Sequence, residues 1–298
     1  MSEKKIVNVS SYNRMNSLIK TVESILDQCD ELNIFLNNVN TEIPEIFFDD
    51  KINLFFSDNR HGDALKFALL EESEGYYLTI DDDLIYPKNY VDYMISRCKE
   101  YSNQRVITIH GKNFSSFPIQ SYYRSHFEYF HCLQQMKKNL LVQFGGTGVM
   151  CFHTSLIKIP FNFFEKPNMA DVWFGKYCIE NKIEIICVTH PKNFLKYQIQ
   201  TETIYDKYLN NDFTQTHVVN SIFDKNIEPI SIPNETQSRK KINIESKLNL
   251  TKKTINYQNV NQVFSNSNKV KTSKPVNTNT NLKLNSSQIS TFAKKKFR

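Results

Sequence analysis

The 298-residue chain has no run of about 18 consecutive apolar residues, which excludes a membrane-spanning helix of the usual kind. Its opening, MSEKKIVNVSSYNR, reaches polar residues before a signal-peptide apolar region forms, so a cytoplasmic protein is expected. Glycine is scarce: seven residues, all between Gly62 and Gly175. There is no G-K-[ST] and no G-x-G-x-x-G, which disfavours a P-loop and a Rossmann dinucleotide site, and collagen is excluded by the same scarcity. The six cysteines (Cys29, Cys98, Cys132, Cys151, Cys178, Cys187) contain no C-x-x-C pair and sit in apolar contexts. Buried free thiols are expected, rather than a disulfide framework or a zinc site.

What the chain does have is a globular composition, 40% hydrophobic and 13% aromatic, with a net charge of +6. Mean hydropathy is nevertheless −0.47, and the charge is unevenly spread. Residues 1–230 carry 23 Lys plus Arg against 29 Asp plus Glu, a net of −6; residues 231–298 carry 14 against 2, a net of +12. That last segment also holds 12 Asn, 9 Ser and 7 Thr and no Gly, so it reads as a largely disordered basic tail after one folded domain over 1–230. An acidic domain loses the main argument for nucleic-acid binding. The tail, ending in FAKKKFR, suits peripheral contact with an anionic membrane, at about 1 kcal/mol per basic residue near the surface.

Within the domain, apolar β-rich runs at 5–10 (KIVNVS), 33–36 (NIFL), 52–56 (INLFF) and 76–80 (YYLTI) alternate with helical spacing at 17–27 and 63–72. Further strands are expected at 106–110 and 185–189, and a helix at about 168–179. This order predicts an α/β fold with a mainly parallel central sheet and helices on both faces. In such sheets ligands gather at the carboxyl ends of the strands. Those ends read Ser10-Ser11-Tyr12-Asn13-Arg14, Asn37-Asn38, Ser57-Asp58-Asn59-Arg60-His61-Gly62-Asp63 and Asp81-Asp82-Asp83, a rim of unusual polarity.

Three consecutive aspartates after an apolar strand repel one another, and nothing nearby in sequence neutralises them. A divalent cation removes that penalty, and hard carboxylate oxygens suit Mg²⁺ or Mn²⁺. Residues two apart on an extended segment share a side, so Asp81 and Asp83 are expected on one ion, with Asp82 facing elsewhere. The plain alternative is a solvated acidic turn ahead of Leu84-Ile85-Tyr86-Pro87.

On VSSYNR followed by a helix, and on GYYLTIDDDLIYPKNYV, the chain resembles bacterial glycosyltransferases of the GT-A fold, similar to glycosyltransferase family 2, over about 5–224. The second segment looks like that family's D-x-D metal motif and is the only one specific by itself. The resemblance implies transfer of a sugar from a nucleotide diphosphate sugar to a hydroxyl of a glycan or lipid-linked glycan acceptor. Inverting stereochemistry, a bacterial surface polysaccharide as product, and Mn²⁺ or Mg²⁺ on Asp81 and Asp83 are implied with it. It further implies Ser10, Asn13 and Arg14 beside the nucleotide, with Asp81 and Asp82 also facing the donor. Asn37 and Asn38 would lie near base or ribose, Asp58 near the base, and Asp63 and Lys66 near ribose and phosphate. Asp63 and Lys66 read equally as a helix cap and a solvated helix face. Asn37-Asn38 stands where many relatives carry acids, which leaves the nucleotide open.

The segment Gly145-Gly146-Thr147-Gly148 resembles the family's G-T-G, with Gly146, Thr147 and Gly148 close to the donor sugar. Asp171, at a helix start among apolar residues, reads either as a cap or as the base that deprotonates the acceptor hydroxyl. The resemblance implies the base. His190 is a candidate third metal ligand, with His153 and His217 behind it, and equally a simple polar contact. The aromatic stretch from Phe114 to Phe130 serves either as an acceptor wall or as loop packing. A sugar-nucleotide nucleotidyltransferase would show an N-terminal Gly-rich loop, and the first 30 residues hold no Gly. A non-catalytic binding protein on the same scaffold is the other alternative.

Overall fold

A computed structural model describes residues 2–200, 203–223 and 251–252. Apart from Thr251–Lys252, the tail expected over 231–298 and its boundary at 230 lie outside the described residues. In chain order the elements are β1 (Lys5–Tyr12), α1 (Met15–Ile25), β2 (Glu31–Asn37), β3 (Ile52–Ser57), β4 (Tyr76–Ile80), β5 (Leu84–Ile85), α2 (Tyr90–Glu100), β6 (Val106–Thr108) and β7 (Gly111–Asn113). They continue with β8 (Glu128–Phe130), β9 (Leu140–Val142), β10 (Phe144–Gly145), β11 (Val149–His153), α3 (Ala170–Glu180), β12 (Ile185–Cys187), β13 (Lys196–Tyr197), α4 (Ile204–Tyr208), α5 (Phe213–Phe223) and β14 (Thr251–Lys252).

One nine-stranded sheet has the order β14-β3-β2-β1-β4-β11-β6-β12-β9. β3, β2, β1, β4, β6 and β12 run in one direction; β14, β11 and β9 run against them. The sheet is thus mainly parallel, as expected. β4 is buried along its whole length, which is why YYLTI reads as an unbroken apolar run rather than an alternation. Register across β1, β2 and β3 is marked by a ladder of asparagines: Asn33 Nδ2 donates to Asn8 Oδ1 at 3.0 Å and Asn53 Nδ2 donates to Asn33 Oδ1 at 3.0 Å.

Helices cover both faces. Neighbouring residues of a strand point to opposite sides; on β11, Cys151 Sγ meets Cys98 of α2 at 3.5 Å, while the Phe152 ring meets Phe174 of α3 at 5.5 Å. All six cysteines are free and buried. α1 presents Leu18, Val22 and Ile25, all fully buried, at helical spacing. Among the described residues no helix is long and apolar enough to cross a membrane.

The helix expected over 63–72 is instead a 3-10 segment, Gly62–Phe67, followed by turns. Ala64, Leu65, Lys66 and Phe67 are all buried, so it has no solvated face, and the tighter winding brings Asp63 and Lys66 onto one side. The sheets β10-β7-β8 and β13-β5 escaped the sequence reading because their strands are two or three residues long.

Strand order places the site. From β1 the chain moves outward to β2 and β3, then returns to lay β4 on the other side of β1. The carboxyl ends of β1 and β4 therefore flank the point where the order reverses, the crevice in which open α/β sheets hold ligands.

Candidate functional site

Ser10 closes the rim rather than opening it. Its Oγ donates to the Gly62 carbonyl at 2.9 Å and accepts from Asn37 Nδ2 at 2.9 Å, tying the ends of β1 and β2 to the 3-10 segment. Asn37 is buried, and its Oδ1 has no hydrogen-bond partner among the described residues. Asn13 and Asn38 have positive φ, 54° and 51°, and are exposed; both shape turns that asparagine tolerates. Asn13 and Arg14 border a cleft of about 140 Å³ whose other wall includes Val39, Asn40 and Thr41, residues just beyond the Asn37-Asn38 pair that the sequence singled out. Asp58 lies apart: it is exposed and paired with Arg60, whose hydrogen bonds pull its carboxyl down to about 2.

The three aspartates divide between two cations. β4 ends at Ile80 and the chain turns at Asp82-Asp83, so extended alternation does not apply. Asp81 accepts from Lys66 Nζ at 2.7 Å. Asp82 is buried, accepting from Ser11 Oγ at 2.6 Å and Arg14 Nη1 at 3.1 Å; the same Arg14 nitrogen reaches Asp83 at 3.3 Å. Asp82 thus faces Arg14 together with Asp83, correcting the expectation that it points away. Two cations brought from distant segments neutralise much of the charge that seemed unopposed in sequence.

A residue of repulsion remains. Burial, then the charges of Asp81 and Asp82, push the Asp83 carboxyl up to about 7, with Arg14 opposing. Burial also raises Asp82 against the pull of Arg14 and Ser11. Lys66 is 3% exposed; burial alone would lower its ammonium, but Asp81 and Asp63 outweigh that and carry it up to about 12. Asp81, half-exposed, and Asp83 fit a hard divalent cation by donor chemistry, and such an ion would relieve their mutual repulsion.

The Gly146-Thr147-Gly148 segment joins the aspartates to α3. A Cβ on Gly148 would stand 1.8 Å from Asp81 Oδ2. Thr147 donates twice to Asp171 Oδ1, from its backbone N–H at 2.8 Å and its hydroxyl at 2.6 Å. The Gly146 N–H donates to the His110 carbonyl at 2.8 Å. Tyr86 fastens this arrangement, its hydroxyl donating to the Gly148 carbonyl at 2.7 Å and accepting from the Asp81 N–H at 3.0 Å. Asp171 occupies the first turn of α3, but the acceptor for the Ala170 N–H is Asp63 Oδ2, at 3.1 Å. Asp63 therefore serves a helix far from its own segment. Burial and the nearby Asp171 and Asp81, with Lys66 opposing, push Asp63 up to about 6.

His190 does not join the aspartates. Its Nδ1 pairs with the Val188 carbonyl at 2.9 Å, its backbone bridges to Met136, and among the described residues no three-ligand group contains it. His153 contacts Ser155 and the Ser2 carbonyl, and His217 lies on α5. The aromatic stretch divides: Phe114 and Tyr122 are core, Phe127 and Tyr129 are exposed. Lys112, absent from the sequence reading, is buried with Nζ 3.9 Å from the centre of the Tyr122 ring and 5.1 Å from that of Tyr123. Burial lowers its ammonium to about 8, while Asp171 and Asp212 oppose. Ser11 stood in the polar rim with no role attached, and Tyr86 and Lys112 carried no signal in sequence, because each matters through a partner many residues away. No protein-family model matches the chain, and no curated protein matches it either.

Proposed function

We propose that the chain is a metal-dependent, inverting glycosyltransferase of the GT-A type. It would move a sugar from a nucleotide diphosphate sugar to a hydroxyl of a glycan or lipid-linked glycan in bacterial surface polysaccharide synthesis. The observation that carries this reading is that one loop, Gly146-Thr147-Gly148, holds the two halves of the required chemistry: Gly148 lies against Asp81 and Thr147 holds Asp171. The position of Asp81 directly after β4, one of the two strands flanking the reversal of strand order, supports it further.

In this reading Asp81 and Asp83 would hold Mn²⁺ or Mg²⁺, which would supply positive charge to offset that of a leaving nucleoside diphosphate. Arg14 and Lys66 add fixed positive charge beside that position, and the cleft next to Asn13 and Arg14 receives part of the nucleotide. Asp171, with Oδ1 engaged by Thr147, takes the proton of the acceptor hydroxyl on its other oxygen. A cytoplasmic enzyme with its basic segment 231–298 against the inner face of the membrane would meet a membrane-bound acceptor.

Incubation with a panel of nucleotide sugars and Mn²⁺ is expected to release nucleoside diphosphate. Release of pyrophosphate would instead assign a sugar-nucleotide nucleotidyltransferase. No release of either, together with no thermal stabilisation by any nucleoside diphosphate in Mn²⁺ or Mg²⁺, would refute the reading.

A further inference from the structure

His110, two residues beyond β6, and His131 and Cys132, just beyond β8, bring three ligand atoms within 4.8 Å of one another. The His110 and His131 rings stand 5.4 Å apart, centre to centre, at 66°. Cys132 is buried and both histidines are half-buried. Among the described residues no other such group of histidine, cysteine and carboxylate ligands exists.

Two imidazoles and a thiolate are borderline-soft donors, which favour Zn²⁺ over the hard ions expected at Asp81 and Asp83. Zinc–nitrogen and zinc–sulfur bonds of about 2.0–2.3 Å in a tetrahedron set the donors roughly 3.3–3.7 Å apart. The three ligand atoms, within 4.8 Å of one another, would draw in to that spacing around an ion. His131 Nδ1 accepts from the Leu133 N–H at 3.2 Å, so in the neutral ring that nitrogen carries no proton and its lone pair is engaged. A cation there displaces one local contact between near neighbours in the chain.

We propose that His110, His131 and Cys132 form a Zn²⁺ site with a fourth position open to water. On binding, the Cys132 S–H loses its proton to solvent and the sulfur bonds the metal, so one proton is released per ion. The ion joins the end of β6 to the segment after β8. His110 also accepts the Gly146 N–H through its carbonyl and packs edge-on against Tyr129 at 5.2 Å, so the join steadies the Gly146-Thr147-Gly148 loop and the aromatic segment together. The sequence offered no sign of it, since His110 and Cys132 are far apart and no C-x-x-C pair is present. The proposal does not depend on sugar transfer.

Cobalt(II) is the probe, added to the untagged, full-length, chelator-treated chain. One equivalent is expected to produce a thiolate-to-cobalt charge-transfer band and the intense visible absorption of tetrahedral Co²⁺. One equivalent of Zn²⁺ should abolish both, and excess Mg²⁺ should leave them unchanged. Cys132→Ser, nearly isosteric, should lose the charge-transfer band, and His131→Ala should weaken binding by about tenfold or more. Asp83→Asn should keep both signals, which separates this site from the aspartates. Circular dichroism checks that each variant is folded. Absence of the band in the wild-type chain, its persistence in folded Cys132→Ser, or its loss in Asp83→Asn would each overturn the assignment.

Discussion

Gly148 and Asp81 are packed more closely than any side chain at position 148 permits: a Cβ there would lie 1.8 Å from Oδ2 and 2.2 Å from Cγ of the carboxylate. Asp81 is not free to swing aside without losing Lys66, whose Nζ holds its Oδ1 at 2.7 Å. Gly148→Ala is therefore expected to break that pair and to leave a buried ammonium without its nearest anion. Unfolding stability should fall by about 1–3 kcal/mol, the range for a charge-assisted hydrogen bond lost in a buried setting. Thermal stabilisation by nucleoside diphosphate with Mn²⁺ should fall with it. Denaturant titration and a thermal shift series measure the two effects, and an unchanged variant would show that the close approach has no bearing on the carboxylate.

Asp171→Asn preserves the shape of the Thr147 contacts, since an amide oxygen still accepts both donors now on Oδ1. It removes the basic oxygen. If Asp171 is the base, turnover in the nucleotide-sugar assay is expected to drop by about 10²–10⁴ with stability nearly unchanged. Thr147→Val, which deletes the hydroxyl and keeps the N–H, should lower turnover less, because it disturbs only orientation. Comparable turnover in wild type and Asp171→Asn would remove the base assignment and leave the donor site untouched.

Asp63 supplies a pH test. Its folded carboxyl is pushed up to about 6, mainly by burial, against an unfolded value of about 3.9. Between those values the folded chain holds a proton that the unfolded chain has released, so this group's contribution to stability declines as pH rises toward 6 and stays low above it. Lys66 faces the group as a cation, and Asp171 and Asp81 as anions. Asp63→Asn keeps an acceptor for the Ala170 N–H and cannot ionise. The variant's stability relative to wild type should thus increase between pH 4.5 and 7 by on the order of 2 kcal/mol. Urea unfolding of both chains across that range reads the difference; a flat difference would mean Asp63 is not desolvated as described.

Much of the frame was legible in the chain. The runs at 5–10, 33–36, 52–56 and 76–80 are apolar stretches bounded by turn formers, and each is a strand of the parallel half of the sheet. The polar rim followed, because strand ends in such sheets collect at one edge. What stayed hidden was pairing over distance. Arg14 read as a contact to the nucleotide, and Lys66 as a phosphate contact or a solvated helix face, and neither reading foresaw their pairing with Asp82 and Asp81. The segment after Gly62 has apolar spacing that suits a helix, but burial of nearly every side chain lets a 3-10 turn serve as well. His190 read as a third metal ligand or as a simple polar contact, and the second describes it: its Nδ1 pairs with the backbone carbonyl two residues before it.

The asparagine ladder shows the same limit, because the three residues fall inside expected strands but nothing in sequence pairs them with one another. Asn8 and Asn33 are fully buried, opposite each other in register, with Asn53 next in line. Asn33 is the middle rung, donating to Asn8 Oδ1 and accepting from Asn53 Nδ2. Asn33→Leu keeps the branching at Cγ but strands polar groups on both sides, at about 1–3 kcal/mol for each buried atom left without a partner. A loss of about 2–4 kcal/mol is expected in denaturant unfolding. Asn8→Val with Asn33→Leu removes both members of the most buried rung, so the double variant should lose less than the sum of the two single losses. Strict additivity would mean that the rungs act independently and that register rests on the apolar residues alone.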